Sequence, residues 1–238
     1  MFKKKGVKDI EDHPTFYRDA NDYWTKVDPT VQGMMGGLEQ LSSIDLTSSM
    51  QFVYSYIQDL KKNSTETRVA DCGSGIGRIT KCLLSGLFDK IDMVEQCAVF
   101  LDKAEAYLGD ERKKVEQKIY KGLQDFYPEK NRYDVFWCQW VLCYQADNDL
   151  VKFLERCREA LKPGGFIFVK ENTTNTKSRK AVEFDEVDSS VCRHETLFRK
   201  IFDESGLEVI ESCQQPNFPE ELFPVYMFIL KPKAETTS

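Results

Sequence analysis

The chain has 238 residues, 41% of them hydrophobic, with a formal charge of −6; it is long enough to bury a full core and reads as one large α/β domain. The acidic balance argues against a general nucleic-acid binder, which needs a basic face. Eight cysteines without a C-x-x-C pair and only two histidines, His13 and His194, give neither a zinc site nor a disulfide framework.

From the N-terminus, Lys3, Lys4, Lys5 and Lys8 make a basic start that reads as a short import signal or as a frayed terminus. No apolar run reaches membrane length and no secretory core is present, so a soluble protein of the cytoplasm and nucleus is expected, with reduced thiols in apolar runs. Residues 1–47 fall outside the sheet-building pattern. They carry Phe16, Tyr17, Tyr23 and Trp24, then Pro29 to Gly37 with Met34 and Met35 between glycines. The segment reads as a helical extension that covers the site, or as one that simply buries its aromatics on the core. Residues 48–238 form the main domain. Its first helix is expected from Ser48 or Ser49, with Phe52, Val53, Tyr56, Ile57 and Leu60 on one face.

The run Arg68 to Thr80 organises the rest of the chain. A β-prone stretch ending at Asp71 meets Gly73, Gly75 and Gly77, then an amphipathic segment with Ile79, Leu83, Leu84 and Leu87 at helical spacing. Strand, tight glycine turn and helix is the arrangement that brings a nucleotide-like ligand to the first crossover of an α/β sheet. A dinucleotide fingerprint would want glycine or alanine at position 78, where Arg78 stands. Asp71-x-Gly73-x-Gly75-x-Gly77 instead resembles the first motif of seven-strand S-adenosylmethionine (SAM) methyltransferases. The planar fork of Arg78 suits a ligand bearing a carboxylate.

The second strand, Ile91 to Val94, ends at Glu95, where an acid can accept hydrogen bonds from both ribose hydroxyls of an adenosine. A helix from about Val99 to Leu108 leads to strand three, Lys118 to Tyr120. Leu123, Gln124 and Asp125 come next as candidates for the adenine, a flat apolar ring with hydrogen-bonding edges. Strand four, Tyr133 to Gln139, is apolar enough to be buried on both faces. After Asp147, a candidate cap, a helix runs to Lys162-Pro-Gly-Gly165, and strand five is Phe166 to Glu171. A polar loop, Thr173 to Lys180, delivers Phe184 to Ser190, a helix through Leu197 closes at Gly206, and Leu207 to Ile210 and Val225 to Leu230 complete seven strands.

With Gly33-Met-Met-Gly-Gly37, Ser42 to Leu46, Asp71 to Lys81, Gly122 to Phe126, Gln139-Trp-Val141 and Val187 to Arg193 laid out, the chain resembles the protein α-N-terminal methyltransferases from about Phe16 to Leu230. The resemblance implies a Rossmann-like seven-stranded fold and transfer of methyl groups from SAM to the free α-amine of proteins that begin Xaa-Pro-Lys once methionine is removed. It implies cofactor contacts at Gly73, Arg78, Glu95, Leu123, Gln124 and Gln139, with Glu95 in place of the usual aspartate. It implies a peptide channel at Trp24, Trp140, Asn172, Asp185, Asp188 and Ser190.

The chemistry of those positions agrees with this. An α-amine has a pKa near 8, so a nearby carboxylate such as Asp188 can take its proton or orient it. Trp140 offers a flat face to a proline ring, and Asp185 can pair with a basic third residue. The alternative for Asp185 and Asp188 is a solvated pair ahead of the next helix. One departure stands out: where the family has a histidine, four residues after the tryptophan, this chain has Tyr144. A phenol is a poor base at neutral pH, which leaves proton handling to Asp188. Small-amine transfer, nicotinamide chemistry and a catalytically silent SAM-fold module are the rival readings, and Arg78 counts against the second.

Overall fold

In the computed structural model, residues 15–174 and 181–234 are described; the basic start, His13 and most of the 173–180 loop lie outside them. Seven strands form one sheet: β1 (Arg68–Cys72), β2 (Lys90–Glu95), β3 (Val115–Tyr120), β4 (Tyr133–Gln139), β5 (Leu161–Asn172), β8 (Leu207–Gln214) and β9 (Val225–Pro232). Their order is β3-β2-β1-β4-β5-β9-β8. The first five strands run parallel, and β9 enters antiparallel between β5 and β8.

Period-two alternation divides the core between the two faces of this sheet. Val69, Val135 and Trp137 face the cluster that contains Val53, Ile57 and Leu84, whereas Ala70, Phe136 and Cys138 face the one that contains Leu154, Phe198 and Phe202. The first face is covered by α3 (Ser42–Asn63) and α5 (Ala98–Leu108), the second by α6 (Asp147–Ala160) and α7 (Glu195–Glu204). Ahead of these lie α1 (Phe16–Trp24) and the one-turn α2 (Val31–Met34). Among the described residues no helix is long and apolar enough to cross a membrane.

Several local expectations change. The first long helix starts at Ser42, so a boundary at residue 47 would fall inside it. Ser48 and Ser49 do not cap it: Ser49 Oγ accepts from Lys170 Nζ at 2.9 Å and Ser48 Oγ from Gln215 Nε2 at 2.7 Å, so both hydroxyls serve tertiary partners. The segment after the glycine turn is a π turn, Thr80–Leu84, running into α4 (Ser85–Leu87); such turns concentrate at functional sites. Asp147 is the first residue of α6 rather than its cap, and its carboxylate accepts from Arg193 Nε at 2.7 Å.

A second sheet also appears, the hairpin of β6 (Val182–Asp185) and β7 (Ser190–Arg193). Asp185 and Asp188 therefore sit at a hairpin turn, not ahead of a helix. Asp185 Oδ1 accepts from Val187 N at 2.8 Å and Asp188 Oδ1 from Ser190 N at 3.1 Å, local bonds that shape the turn. The hairpin is held by Phe16 of α1, which packs with Val191, Val182 and Phe184, and by Ser189 Oγ donating to Phe16 O at 3.0 Å.

Candidate active site

β1 and β4 lie side by side at the centre of the sheet, with β2 beyond one and β5 beyond the other, so the loops at their carboxyl ends part in opposite directions. This is where an open α/β sheet leaves a crevice. The crevice holds a cavity with about 910 Å³ of empty space, floored by Gly73, Gly75 and Arg78 after β1, Glu95 at the end of β2, Leu123 after β3 and Gln139 at the end of β4. Tyr17, Trp24 and Met34 of the N-terminal segment close it from above.

The glycine turn is required sterically. Gly73 and Gly75 have φ of 69° and 54°, in the left-handed region. A Cβ at Gly73 would lie 2.4 Å from Val141 Cγ2, and one at Gly75 would lie 2.6 Å from Met34 Sδ. Glu95 ties this turn to the end of β2: its carboxylate accepts from Gly75 N at 3.0 Å and Cys97 N at 2.9 Å. Burial pushes the Glu95 carboxyl pKa up while these backbone donors hold it down.

Beneath the cavity lies a buried charge cluster. Asp45 of α3, fully enclosed, accepts from Arg78 Nη2 at 2.8 Å and Gln139 Nε2 at 2.8 Å, and pairs with Lys170 Nζ at 2.5 Å. Arg78 also donates to Ser42 Oγ at 3.0 Å. Two cations share the Asp45 carboxylate, and buried Asp71, whose pKa Arg78 holds down against burial, lies close to the same guanidinium at the edge of a cavity that Arg78 and Glu95 both line. Burial pulls the Lys170 pKa down and Asp45 opposes that shift. Three of the five buried side-chain polar atoms without a hydrogen-bond partner among the described residues, Ser74 Oγ, Trp140 Nε1 and Gln145 Oε1, belong to residues lining this cavity. Unmade hydrogen bonds concentrated in one crevice are the mark of a polar ligand's seat.

A second cavity, about 1730 Å³, lies beside it under the β6–β7 hairpin. Its described lining carries Glu183, Asp185, Glu186 and Asp188, with no lysine, arginine or histidine, and an apolar wall that includes Phe218, Leu222 and Phe223. Trp24, Met34, Trp140 and Tyr144 line both cavities and form their junction. Trp140 adopts φ 52°, a strained conformation for a bulky residue. Surrounding bonds hold it: Trp140 N donates to Lys170 O at 2.9 Å, and Val141 N and Leu142 N donate to buried Glu171 at 2.8 and 2.7 Å. Burial raises the Glu171 pKa to about 7 against those donors. Arg193, from β7, donates to Leu142 O and Gln145 O of the same loop.

The structure gathers Gly73, Arg78, Glu95, Leu123 and Gln139 on the first cavity, and Asn172, Asp185, Asp188 and Ser190 on the second. Gln124 does not line the first cavity; its Oε1 accepts from Gln145 Nε2 at 3.3 Å, so it positions a wall residue. Tyr144 is not apart from Asp188 but donates to Asp188 Oδ2 at 2.9 Å. Sequence reasoning assigned no role to Asp45, Lys170, Glu171 or Arg193. A lysine and a glutamate ending the apolar run of a central strand were the available signal.

A family model described as AdoMet dependent proline di-methyltransferase matches residues 12–231. N-terminal Xaa-Pro-Lys N-methyltransferase 1-A of Xenopus laevis is 44% identical over 223 residues, 93% of this chain and 98% of that protein. The Homo sapiens N-terminal Xaa-Pro-Lys N-methyltransferase 1 is 43% identical over 222 residues, with the same coverage of both chains. Among solved structures, a SAM-dependent methyltransferase from Leishmania major superposes with a TM-score of 0.83 at 33% identity, covering 96% of this chain and 87% of that one. A Haemonchus contortus phosphoethanolamine N-methyltransferase in complex with phosphoethanolamine and S-adenosylhomocysteine shares the fold, with a TM-score of 0.65 at 17% identity, covering 98% of this chain and 51% of that one.

Proposed function

This chain belongs to the AdoMet dependent proline di-methyltransferase family and is a SAM-dependent methyltransferase, and from that premise we propose that it methylates the free α-amine of proteins beginning Xaa-Pro-Lys. The observation that carries the reading is the junction: a cavity floored by Gly73, Arg78 and Glu95 opens through Trp24, Met34, Trp140 and Tyr144 into a cavity rimmed by carboxylates. The residues fit SAM. Glu95 is placed for the ribose, the Arg78 guanidinium for the methionine carboxylate and Leu123 for the adenine. When bound there, SAM supplies an electrophilic methyl on a sulfonium.

The chain's own residues do the rest. Trp24 and Met34 of the extension cover the junction and exclude water, which keeps the amine's lone pair free for attack. Trp140 presents its indole face to the proline ring, and Asp185, Glu186 and Glu183 draw in the basic third residue. Asp188, braced by Ser190 N and the Tyr144 hydroxyl, accepts the amine proton. Asn172, exposed at the end of β5, borders the same space and serves the peptide backbone. A cytoplasmic and nuclear location is supported by the thiols: all eight cysteines are free, and only Cys82 is exposed.

The test is mass spectrometry of an Ala-Pro-Lys peptide incubated with SAM, beside its N-acetylated form and an Ala-Pro-Glu form. Methylation of the first alone supports the reading. Equal methylation of the acetylated peptide moves the site off the α-amine, and indifference to glutamate at the third position removes the acidic rim from substrate recognition.

A further inference from the structure

Tyr144 stands at the junction with its ring set edge-on to Trp24, the centroids 5.8 Å apart and the planes at 86°. Its hydroxyl donates to Asp188 Oδ2 at 2.9 Å, while Asp188 Oδ1 takes the Ser190 N–H. Burial, with Cys143 and Asp188 alongside, pushes the phenol's pKa well above its ordinary value, so it stays protonated. Its one proton is committed to Asp188 and its oxygen takes a hydrogen bond from the Trp24 indole, so the second lone pair of the phenol oxygen is left as an acceptor beside the carboxylate's remaining lone pairs. The rest of the junction is Trp24, Met34 and Trp140, which offers carbon and indole surface. One polar wall, made of two adjacent acceptors, thus faces three apolar or aromatic side chains.

We propose that Tyr144 sets how many methyl groups the α-amine receives, favouring the early transfers and slowing the last. The proposal rests on the α-amine reading. In each transfer the nitrogen lone pair forms the N–C bond as the C–S bond breaks, the S–C electron pair stays on sulfur as a neutral thioether, and the N–H proton released before the next transfer leaves through Asp188 to water. A neutral primary amine has two N–H groups, one for Tyr144 Oη and one for Asp188, and this pairing leaves its lone pair aimed away from both, toward the cofactor side. After one transfer a single N–H remains; after two there is none. A dimethylated amine must lay a methyl against the phenol oxygen and carboxylate, desolvating both with no hydrogen bond in return. Orientation of the lone pair therefore weakens at each step.

The experiment uses the full chain and Ala-Pro-Lys peptides synthesised with zero, one or two N-methyl groups, above the α-amine pKa of about 8 so that all are neutral. Single-turnover rates by mass spectrometry are expected to fall with each methyl, by about fivefold or more at the last, the scale of one hydrogen bond. In Tyr144→Phe the ratio of last to first rate is expected to rise by about fivefold. Calorimetric affinities of the three peptides, measured with S-adenosylhomocysteine present, should converge in the same variant. Equal rates for the three peptides on the wild type overturn the proposal. So does a Tyr144→Phe protein with wild-type thermal stability and an unchanged ratio, and where that variant does not fold, the wild-type series decides alone. A wild type that methylates none of the three peptides overturns the α-amine reading itself, and this proposal with it.

Discussion

The two cavities meet at four side chains but are built by different means. The first cavity rests on the carboxyl ends of the enclosed strands β1, β2 and β4 and of the more exposed edge strand β3, and on a charge cluster locked by Asp45. The peptide cavity is assembled from the N-terminal segment, the loop after β4, the β6–β7 hairpin and the segment around Phe218 to Phe223. Its hairpin is fastened by the small cluster of Phe16 and Val191 and by the buried Arg193, which donates to Leu142 O, Gln145 O and the Asp147 carboxylate. The first cavity thus draws its floor from the central sheet, and the second draws its walls from segments that lie outside that sheet.

Breaking the shared floor should have the largest effect. Asp45→Ala leaves Arg78 and Lys170 buried without their carboxylate, which is expected to cost ~3–5 kcal/mol of stability. Chemical denaturation would read this, and a variant as stable as the wild type would mean that the cluster does not anchor the cavity. Asp188→Asn should instead separate the two halves. Methyl transfer is expected to fall by about 10²-fold, as for loss of a general base, with calorimetric affinity for S-adenosylhomocysteine and thermal stability held. A wild-type rate in that variant removes Asp188 from proton transfer.

Glu95→Ala makes the opposite cut. It removes a charge-assisted hydrogen bond and should weaken SAM and S-adenosylhomocysteine binding by roughly 1.5–3 kcal/mol. Because Glu95 also braces the Gly75 amide through Oε2 and the Cys97 amide through Oε1, Glu95→Gln, which keeps one acceptor oxygen for one of the two, should lose less than Glu95→Ala. Equal calorimetric affinities for wild type and Glu95→Ala would contradict the ribose assignment.

A pH-dependent effect concerns the tie between the two halves, Glu171, which grips the loop carrying Trp140 and Tyr144. Its pKa is raised by burial from 4.5 to about 7 in the fold, so the folded state holds a proton that the unfolded state has released. Its favourable contribution is complete below pH 4.5 and is lost as pH rises through about 7. Relative to Glu171→Gln, the wild type should lose stability across that window with a slope of at most ~1.4 kcal/mol per pH unit, and the difference should be flat beyond it. Parallel stability curves from pH 4 to 8 would show that Glu171 does not titrate there.

How much of the molecule was legible depends on how local each signal is. Seven strands, the glycine turn and Glu95 are written in short runs of sequence: short β-prone apolar stretches, three alternating glycines and an acid at a strand end. The hairpin was not, because Val182 to Arg193 is polar and short, and its pairing depends on Phe16, far away in the chain. The start of α3 was misplaced for a similar reason. Ser48 and Ser49 have the chemistry of caps, but Gln215 and Lys170, distant in sequence, take their hydroxyls.

By itself the sequence determined a seven-stranded α/β sheet with a glycine turn after its first strand, and through its motifs most of the residues that line the two cavities. Only the tertiary structure decided that Asp45, Arg78, Gln139 and Lys170 form one buried cluster, that Gln124 stands behind the wall, and that Tyr144 is spent on Asp188. Partners brought from α3, β4 and β5, or from a loop and a hairpin, have no shared spacing in the chain. Burial then decides the matter: charges and hydroxyls taken out of water must find whichever partners the fold has placed within reach.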